Sequence, residues 1–170
     1  EANWAYSVFG ADVDGDGDID GMSASYSDDT IAWYENVNGD GSSWTRRVIS
    51  TAADGAYSGC AADVDGDGDV DVGSASRTDD TIAWYENGDA GSWTRHVITT
   101  AADGARSVFA IDLDGDGDVD VLSASHNDDT IAWYENGAGW TRHVISTAAD
   151  DAQSVFAIDV DSDGEVDVVS

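Results

Sequence analysis

The sequence predicts an all-β fold, a β-propeller built of four-stranded antiparallel blades. Three observations carry this. Asp12, Asp63, Asp112 and Asp159 open near-identical acidic stretches spaced 51, 49 and 47 residues apart, and self-similarity at a period of roughly 40–50 residues marks a propeller blade. Within each period, short runs rich in β-branched and aromatic residues alternate with clusters of Gly, Asp and Asn, the pattern of strands and turns. No segment has the spacing of an amphipathic helix. A nonapeptide β-roll would show a much shorter period, and a β-sandwich would not need near-identical units.

Each repeat reads as four strands. Strand A is predicted over 7–13 and leads into the acidic loop, and strand B follows over 19–25. Asp28 and Asp29 turn the chain into strand C, 30–36, and a Gly-rich loop leads to strand D, 44–50. Residues 51–55 link to the next strand A. The segment Asp28-Asp29-Thr30-Ile31-Ala32-Trp33-Tyr34-Glu35-Asn36 returns unchanged at 79–87 and 128–136. Trp44-Thr45-Arg46-Arg47-Val48-Ile49 returns at 93–98 and 140–145, with His96 and His143 in place of Arg47. From that Asn to that Trp the steps are 8, 6 and 4 residues, so the variation in period lies in one loop. The recurring Trp33, Tyr34 and Trp44 are expected to pack between blades, since large aromatics supply packing area.

Residues 1–170 therefore read as one domain, with blade 1 at 5–50, blade 2 at 56–99, blade 3 at 105–146 and a partial blade 4 at 152–170. Closed propellers have about 4–8 blades. About three and a half blades imply a segment of a larger propeller, or a ring closed by another copy of the chain. The chain begins with Glu1 and shows no signal peptide, so it reads as a mature or excised piece of something longer.

The acidic loop is the chemical centre of each repeat. Asp12, Asp14, Asp16, Asp18 and Asp20 alternate with Val13, Gly15, Gly17 and Ile19. Oxygen-only donors crowded in this way suit calcium, which takes six to eight oxygens at about 2.3–2.6 Å in irregular geometry. Magnesium would demand a stricter octahedron, and zinc prefers nitrogen or sulfur. Asp12, Asp14, Asp16 and Asp20 are assigned as side-chain ligands, with Asp18 offering its backbone carbonyl. Gly17 supplies the left-handed turn at the sixth position. The second loop supplies Asp63, Asp65, Asp67, Asp69 and Asp71. The third supplies Asp112, Asp114, Asp116, Asp118 and Asp120. The fourth supplies Asp159, Asp161, Asp163, Glu165 and Asp167, with Ser162 in place of a glycine. About four calcium ions per chain are expected. An EF-hand loop would need a bidentate Glu at position twelve and flanking helices. That position holds Ser23, Ser74, Ser123 or Ser170.

Composition narrows the partners. The formal charge is −30, and the four loops hold 20 of the 36 acidic residues. Four divalent ions would leave −22. Such a surface repels nucleic acid and anionic membranes. Hydrophobic content of 41% supports a folded core. No apolar run approaches the ~20 residues of a membrane span. Cys60 is the one cysteine, so no internal disulfide exists, and it takes the position of Phe9, Phe109 and Phe156 as a buried, inert thiol.

Antiparallel strand order places the A–B and C–D loops on one face and the D–A and B–C loops on the other. Calcium is then expected beside the loops of variable length. On the opposite face the repeats differ at Tyr6, Tyr57, Arg106 and Gln153, entering strand A, and at Tyr26, Arg77 and His126, leaving strand B. These read either as anchors for a protein or glycan partner or as ordinary variable surface. Catalysis is not expected. The paired carboxylates recur identically in every blade, and His96, His126 and His143 lack a unique nucleophile to serve.

Ser7-Val8-Phe9-Gly10-Ala11-Asp12 running into the acidic loop, together with the Ile-Ala-Trp-Tyr-Glu-Asn strand, resembles the FG-GAP/VCBS repeats of integrin α-subunit propellers and of many secreted bacterial and algal proteins. The resemblance covers essentially the whole chain. It implies a calcium-binding loop between the first two strands of each blade and ligand approach from the opposite face, that of Tyr6 and Tyr26. The function so implied is a calcium-stabilised extracellular or cell-surface module for adhesion, protein–protein interaction or surface assembly. The alternatives are a carbohydrate-binding propeller and the non-catalytic propeller of a larger secreted enzyme.

Overall fold

The computed structural model describes residues 3–88 and 91–170. Residues 89–90, within the Gly-rich loop of the second repeat, and the Glu1 start lie outside the described residues. The first sheet is a meander of β1 (Ala5–Ala11), β2 (Asp20–Ser25), β3 (Thr30–Asn36) and β4 (Trp44–Ser50). The second contains β5 (Ala56–Ala62), β6 (Asp71–Ser76), β7 (Thr81–Gly88) and β8 (Ser92–Thr99). The third contains β9 (Ala105–Ile111), β10 (Asp120–Ser125), β11 (Thr130–Glu135) and β12 (Thr141–Ser146), and β13 (Phe156–Ile158) pairs with β14 (Asp167–Val169). All pairs are antiparallel.

The first strand of each of the first three repeats begins and ends two residues earlier than its sequence suggests. Ala11 pairs with Asp20, and the ladder stops there. Beyond it the Val13 N–H leaves the sheet for the Asp20 carboxylate, at 3.1 Å. At the other end the register skips one residue, since Ala5 pairs with Ser25 and Ser7 with Ala24. Tyr6 is thus the extra residue of a β-bulge. Tyr57 and Arg106 occupy the same bulge in the next two sheets. Bulges of this kind bend a strand and re-aim a side chain.

The core lies between sheets. Val13, Met22, Ile31, Trp33 and Ile49 of the first repeat pack on Ala53, Ala56, Val72 and Tyr85 of the second. Ala75 and Ile82 pack on Ala105, Val108, Val121 and Tyr134, and Leu122, Ala124 and Ile131 pack on Ala152, Val155 and Ala157. The first strands of successive repeats are neighbours, β1 beside β5 and β5 beside β9. Gly59 permits one close approach, since a Cβ there would stand 2.7 Å from the Phe9 ring. Cys60 is partly buried against the second cluster, and its enclosure pushes the thiol up to about 12, which keeps it unreactive.

Burial of the recurring aromatics depends on which neighbour is present. Tyr85 and Tyr134 are fully enclosed, whereas Tyr34 of the first sheet is only partly so. Trp44, expected in the core, is 49% exposed and donates its indole N–H to the Gly41 carbonyl. Its counterparts Trp93 and Trp140 pack on the clusters between sheets. Val8 is 79% exposed where its counterpart Val108 is 4% exposed. The first sheet therefore shows to solvent the face that later sheets bury against the preceding repeat.

Candidate metal centres

The acidic loops are built by the hairpin between the first two strands of each repeat. Gly15 and Gly17 hold φ at 73° and 96°, and the sixth-position glycines Gly68, Gly117 and Gly164 lie at 98°, 99° and 94°. This left-handed backbone lets the Gly17 N–H turn back to Asp12 Oδ2 at 2.9 Å, while the Asp16 and Asp18 N–H groups bond Asp14 and Asp16 side chains. The same bonds recur in the other loops. Ser162 adopts φ 65° at the position of Gly15, so the fourth loop keeps the fold at a cost of about 1–2 kcal/mol.

Positions one, three and nine converge. Asp12, Asp14 and Asp20 each offer an oxygen within 4.8 Å of the others, as do Asp63, Asp65 and Asp71; Asp112, Asp114 and Asp120; and Asp159, Asp161 and Asp167. The fifth-position carboxylates, Asp16, Asp67, Asp116 and Asp163, fall outside this group and accept the N–H of the seventh residue. The seventh residues, Asp18, Asp69, Asp118 and Glu165, stand outside it as well. The Asp18 side chain lies against Gly39 of the Gly-rich loop, so the acidic loop and the variable loop meet at one end of the sheet.

The ninth-position carboxylate is the hub. Asp20, Asp71 and Asp120 are each buried. In the second repeat, Asp71 Oδ2 accepts from Val64 N at 2.9 Å and Oδ1 from Asn87 N at 2.8 Å. Burial nevertheless pushes Asp71 up to about 6, against these hydrogen bonds, and raises Asp120. Burial raises Asp14 too, with Asp16 and Asp20 adding to it, and it raises Asp65. A carboxyl raised from 3.8 gives the metal-free fold stability that is complete below pH 4 and lost as pH rises through about 6. At neutral pH these groups oppose folding unless a cation holds them ionised. Asp12 Oδ1 is buried with no hydrogen-bond partner among the described residues, as a ligand oxygen would be. The all-oxygen donor set fits a hard divalent cation, with positions one, three and nine as its holders.

At the other end of the sheets the bulged residues gather. Tyr6 stacks on Tyr57 with ring centroids 4.4 Å apart and an interplanar angle of 15°, and Tyr26 stands edge-on to both. The Arg106 guanidinium lies 5.5 Å from the Tyr57 ring centroid and donates to Gln153 Oε1. His126 pairs with Asp151. Arg77 Nε has no hydrogen-bond partner among the described residues. Six of the seven residues expected to form a partner face thus enter contacts with one another or with Asp151. The other histidines sit elsewhere: His96 stacks on Trp84 and bonds Glu86 at 2.7 Å, and His143 does the same with Trp133 and Glu135. Arg47, Trp33 and Glu35 form the equivalent group in the first sheet.

Asn87 and Asn136 carry a role that single-strand reasoning missed. Each donates its side-chain amide across the boundary between sheets, Asn87 to the Val13 carbonyl at 3.0 Å and Asn136 to the Val64 carbonyl at 2.9 Å. The one trace in the sequence is that an Asn follows the Ile-Ala-Trp-Tyr-Glu run in each of the first three repeats.

Fold and loops together define a repeat protein of antiparallel four-stranded sheets, each with an acidic loop of three converging carboxylates at its first hairpin. The model of the FG-GAP-like repeat matches residues 12–74, 63–123 and 112–170, and the chain belongs to this family. Among solved structures it is similar to the V. cholerae biofilm matrix protein Bap1, with 22% identity and a TM-score of 0.55. That match covers 99% of this chain and 28% of the other, and it shows likeness of fold alone. No curated protein matches the chain. Among the described residues no helix is long and apolar enough to cross a membrane.

Proposed function

We propose that the chain is part of a calcium-stabilised β-propeller that serves as an extracellular interaction module, in adhesion or in surface assembly. The observation that carries this reading is the fourfold recurrence of three converging carboxylates in a loop of fixed geometry. Calcium here is structural. It neutralises carboxyls that burial disfavours and pins each first hairpin. Millimolar extracellular calcium fills even weak oxygen sites, which favours a secreted or cell-surface location. The neighbouring first strands support the propeller, and the solvent-facing Val8 and Trp44 support a further repeat packing there, from the same parent chain or another copy. No catalytic role is assigned, since the carboxylate groups recur in the same form in every loop, which suits repeated structure better than a single active centre.

Native mass spectrometry in calcium and after chelation tests the reading. The expected result is about four ions per chain, lost with chelator. Retention of none, with the sheets intact by circular dichroism, would overturn it.

A second reading, carbohydrate binding on the face away from the metal loops, is favoured by the bulged Tyr6 and Tyr57. Their stacked rings and the adjoining guanidinium offer the apolar face and the donors that a sugar ring uses. Retention on a panel of immobilised glycans in saturating calcium, abolished by Tyr57→Ala, is the expected outcome for that reading. Absence of retention across the panel would sink it.

A further inference from the structure

The Val13 peptide is held from two repeats at once. Its N–H donates to Asp20 Oδ2 at 3.1 Å inside the first acidic loop, and its carbonyl accepts from Asn87 Nδ2 of the second sheet at 3.0 Å. Asn87 is fixed in turn by its own loop. Its backbone N–H donates to Asp71 Oδ1 at 2.8 Å, and its amide also reaches the Val70 carbonyl at 3.1 Å. One repeat further on the pattern recurs. Val64 N–H donates to Asp71 Oδ2 at 2.9 Å, Asn136 Nδ2 reaches the Val64 carbonyl at 2.9 Å, and the Asn136 N–H donates to Asp120 Oδ1 at 2.9 Å. An unbroken line of hydrogen bonds therefore runs Asp120, Asn136, Val64, Asp71, Asn87, Val13, Asp20. Its three carboxylates are the ninth-position members of three consecutive metal groups.

We propose that this line couples the acidic loops, so that filling one raises the calcium affinity of its neighbours. The proposal rests on the reading of the loops as calcium sites. An ion bound at Asp71 fixes both oxygens of that carboxylate, and with them the Asn87 N–H and the Val64 peptide. Asn87 so fixed presents its amide to the Val13 carbonyl and orders the peptide that Asp20 must also grip. Part of the ordering that the first loop requires is then already done when its own ion arrives, which is positive coupling between sites. Asn36 supplies an internal control. Its Nδ2 reaches, among the described residues, only the Ile19 carbonyl of its own sheet, at 3.3 Å.

The experiment is a calcium titration of the full chain at fixed pH, with the first loop followed at the Gly17 amide by NMR and total uptake by calorimetry. The second loop is disabled by Asp63→Asn with Asp65→Asn. With Asn87 intact, this weakens the first loop about fivefold or more, the lower end of ordinary coupling. In an Asn87→Ala background the same change leaves the first loop unaltered. Asn87→Ala alone lowers the Hill coefficient of uptake towards 1, and Asn36→Ala does not. An unchanged first-loop affinity when the second loop is disabled overturns the coupling, and that arm needs no change at Asn87 should Asn87→Ala fail to fold. Calcium uptake with independent loops refutes the coupling alone, whereas no uptake by the parent chain refutes the calcium reading beneath it.

Discussion

Chelation should lower the melting temperature of the chain at pH 7 by on the order of 20–40 °C. At free calcium 100 times the dissociation constant, each site contributes about 2.7 kcal/mol, so four contribute on the order of 10 kcal/mol. That equals the whole stability of an ordinary domain, about 5–15 kcal/mol. For a chain of this length 1 kcal/mol moves the midpoint by about 2–4 °C. The dependence on pH carries a sign that separates metal binding from general charge repulsion. In chelator, stability rises as pH falls from 7 towards 4, because Asp71, Asp120, Asp14 and Asp65 take up protons more readily in the fold than in the unfolded chain. In calcium it falls over the same interval, because protons compete with the ion for those oxygens. The two melting curves therefore converge near pH 5 and part above pH 6. Calorimetric scans across that range check this, and curves that stay parallel would show that calcium does not act at these carboxyls.

Much of this was legible in the sequence because repetition inside one chain exposes constraint. Gly17, Gly68, Gly117 and Gly164 stand at the one position where the loop backbone is left-handed at φ 94–99°, and the alternation of Asp with Gly predicted it. The strands Thr30–Asn36, Thr81–Gly88 and Thr130–Glu135 follow directly from their β-branched and aromatic composition. What escaped depends on contacts between repeats. The bulge at Tyr6 leaves no local signal, since its register is set by pairing with Ser25 and Ala24. Trp44 and Trp93 have nearly the same local sequence and different burial, because Trp93 packs on the cluster it shares with the first repeat while Trp44 faces solvent. Asn87 and Asn136 read as ordinary strand ends until the neighbouring sheet places the Val13 and Val64 carbonyls before them. Convergence of positions one, three and nine, with position five turned to the backbone, is likewise a property of the closed loop, because alternation alone treats all five acidic positions alike.

Asp71→Ala should be among the most damaging single changes in the chain, and Asp69→Ala, two residues away, nearly silent. Both remove one negative charge from the same loop, so charge density alone predicts equal effects. Asp71 is buried and its two oxygens accept the Val64 and Asn87 N–H groups at 2.9 and 2.8 Å. Truncation leaves two buried donors without partners, at about 1–3 kcal/mol each, and removes a metal ligand as well. Asp69 is exposed, and its backbone N–H, which bonds Asp67 Oδ1, survives the substitution. Surface changes of that kind stay within about 0.5 kcal/mol. Asp71→Asn divides the two contributions. It keeps an acceptor for one N–H and removes the charge a cation needs, so in chelator it melts well above Asp71→Ala, while in calcium it loses much of the gain seen in the parent chain. Midpoints for the three variants, each measured with calcium and with chelator, decide the matter. Equal losses for Asp69→Ala and Asp71→Ala would show that the loop responds to its total charge, and that the ninth-position carboxylate is not the hub through which metal, first hairpin and neighbouring sheet are joined.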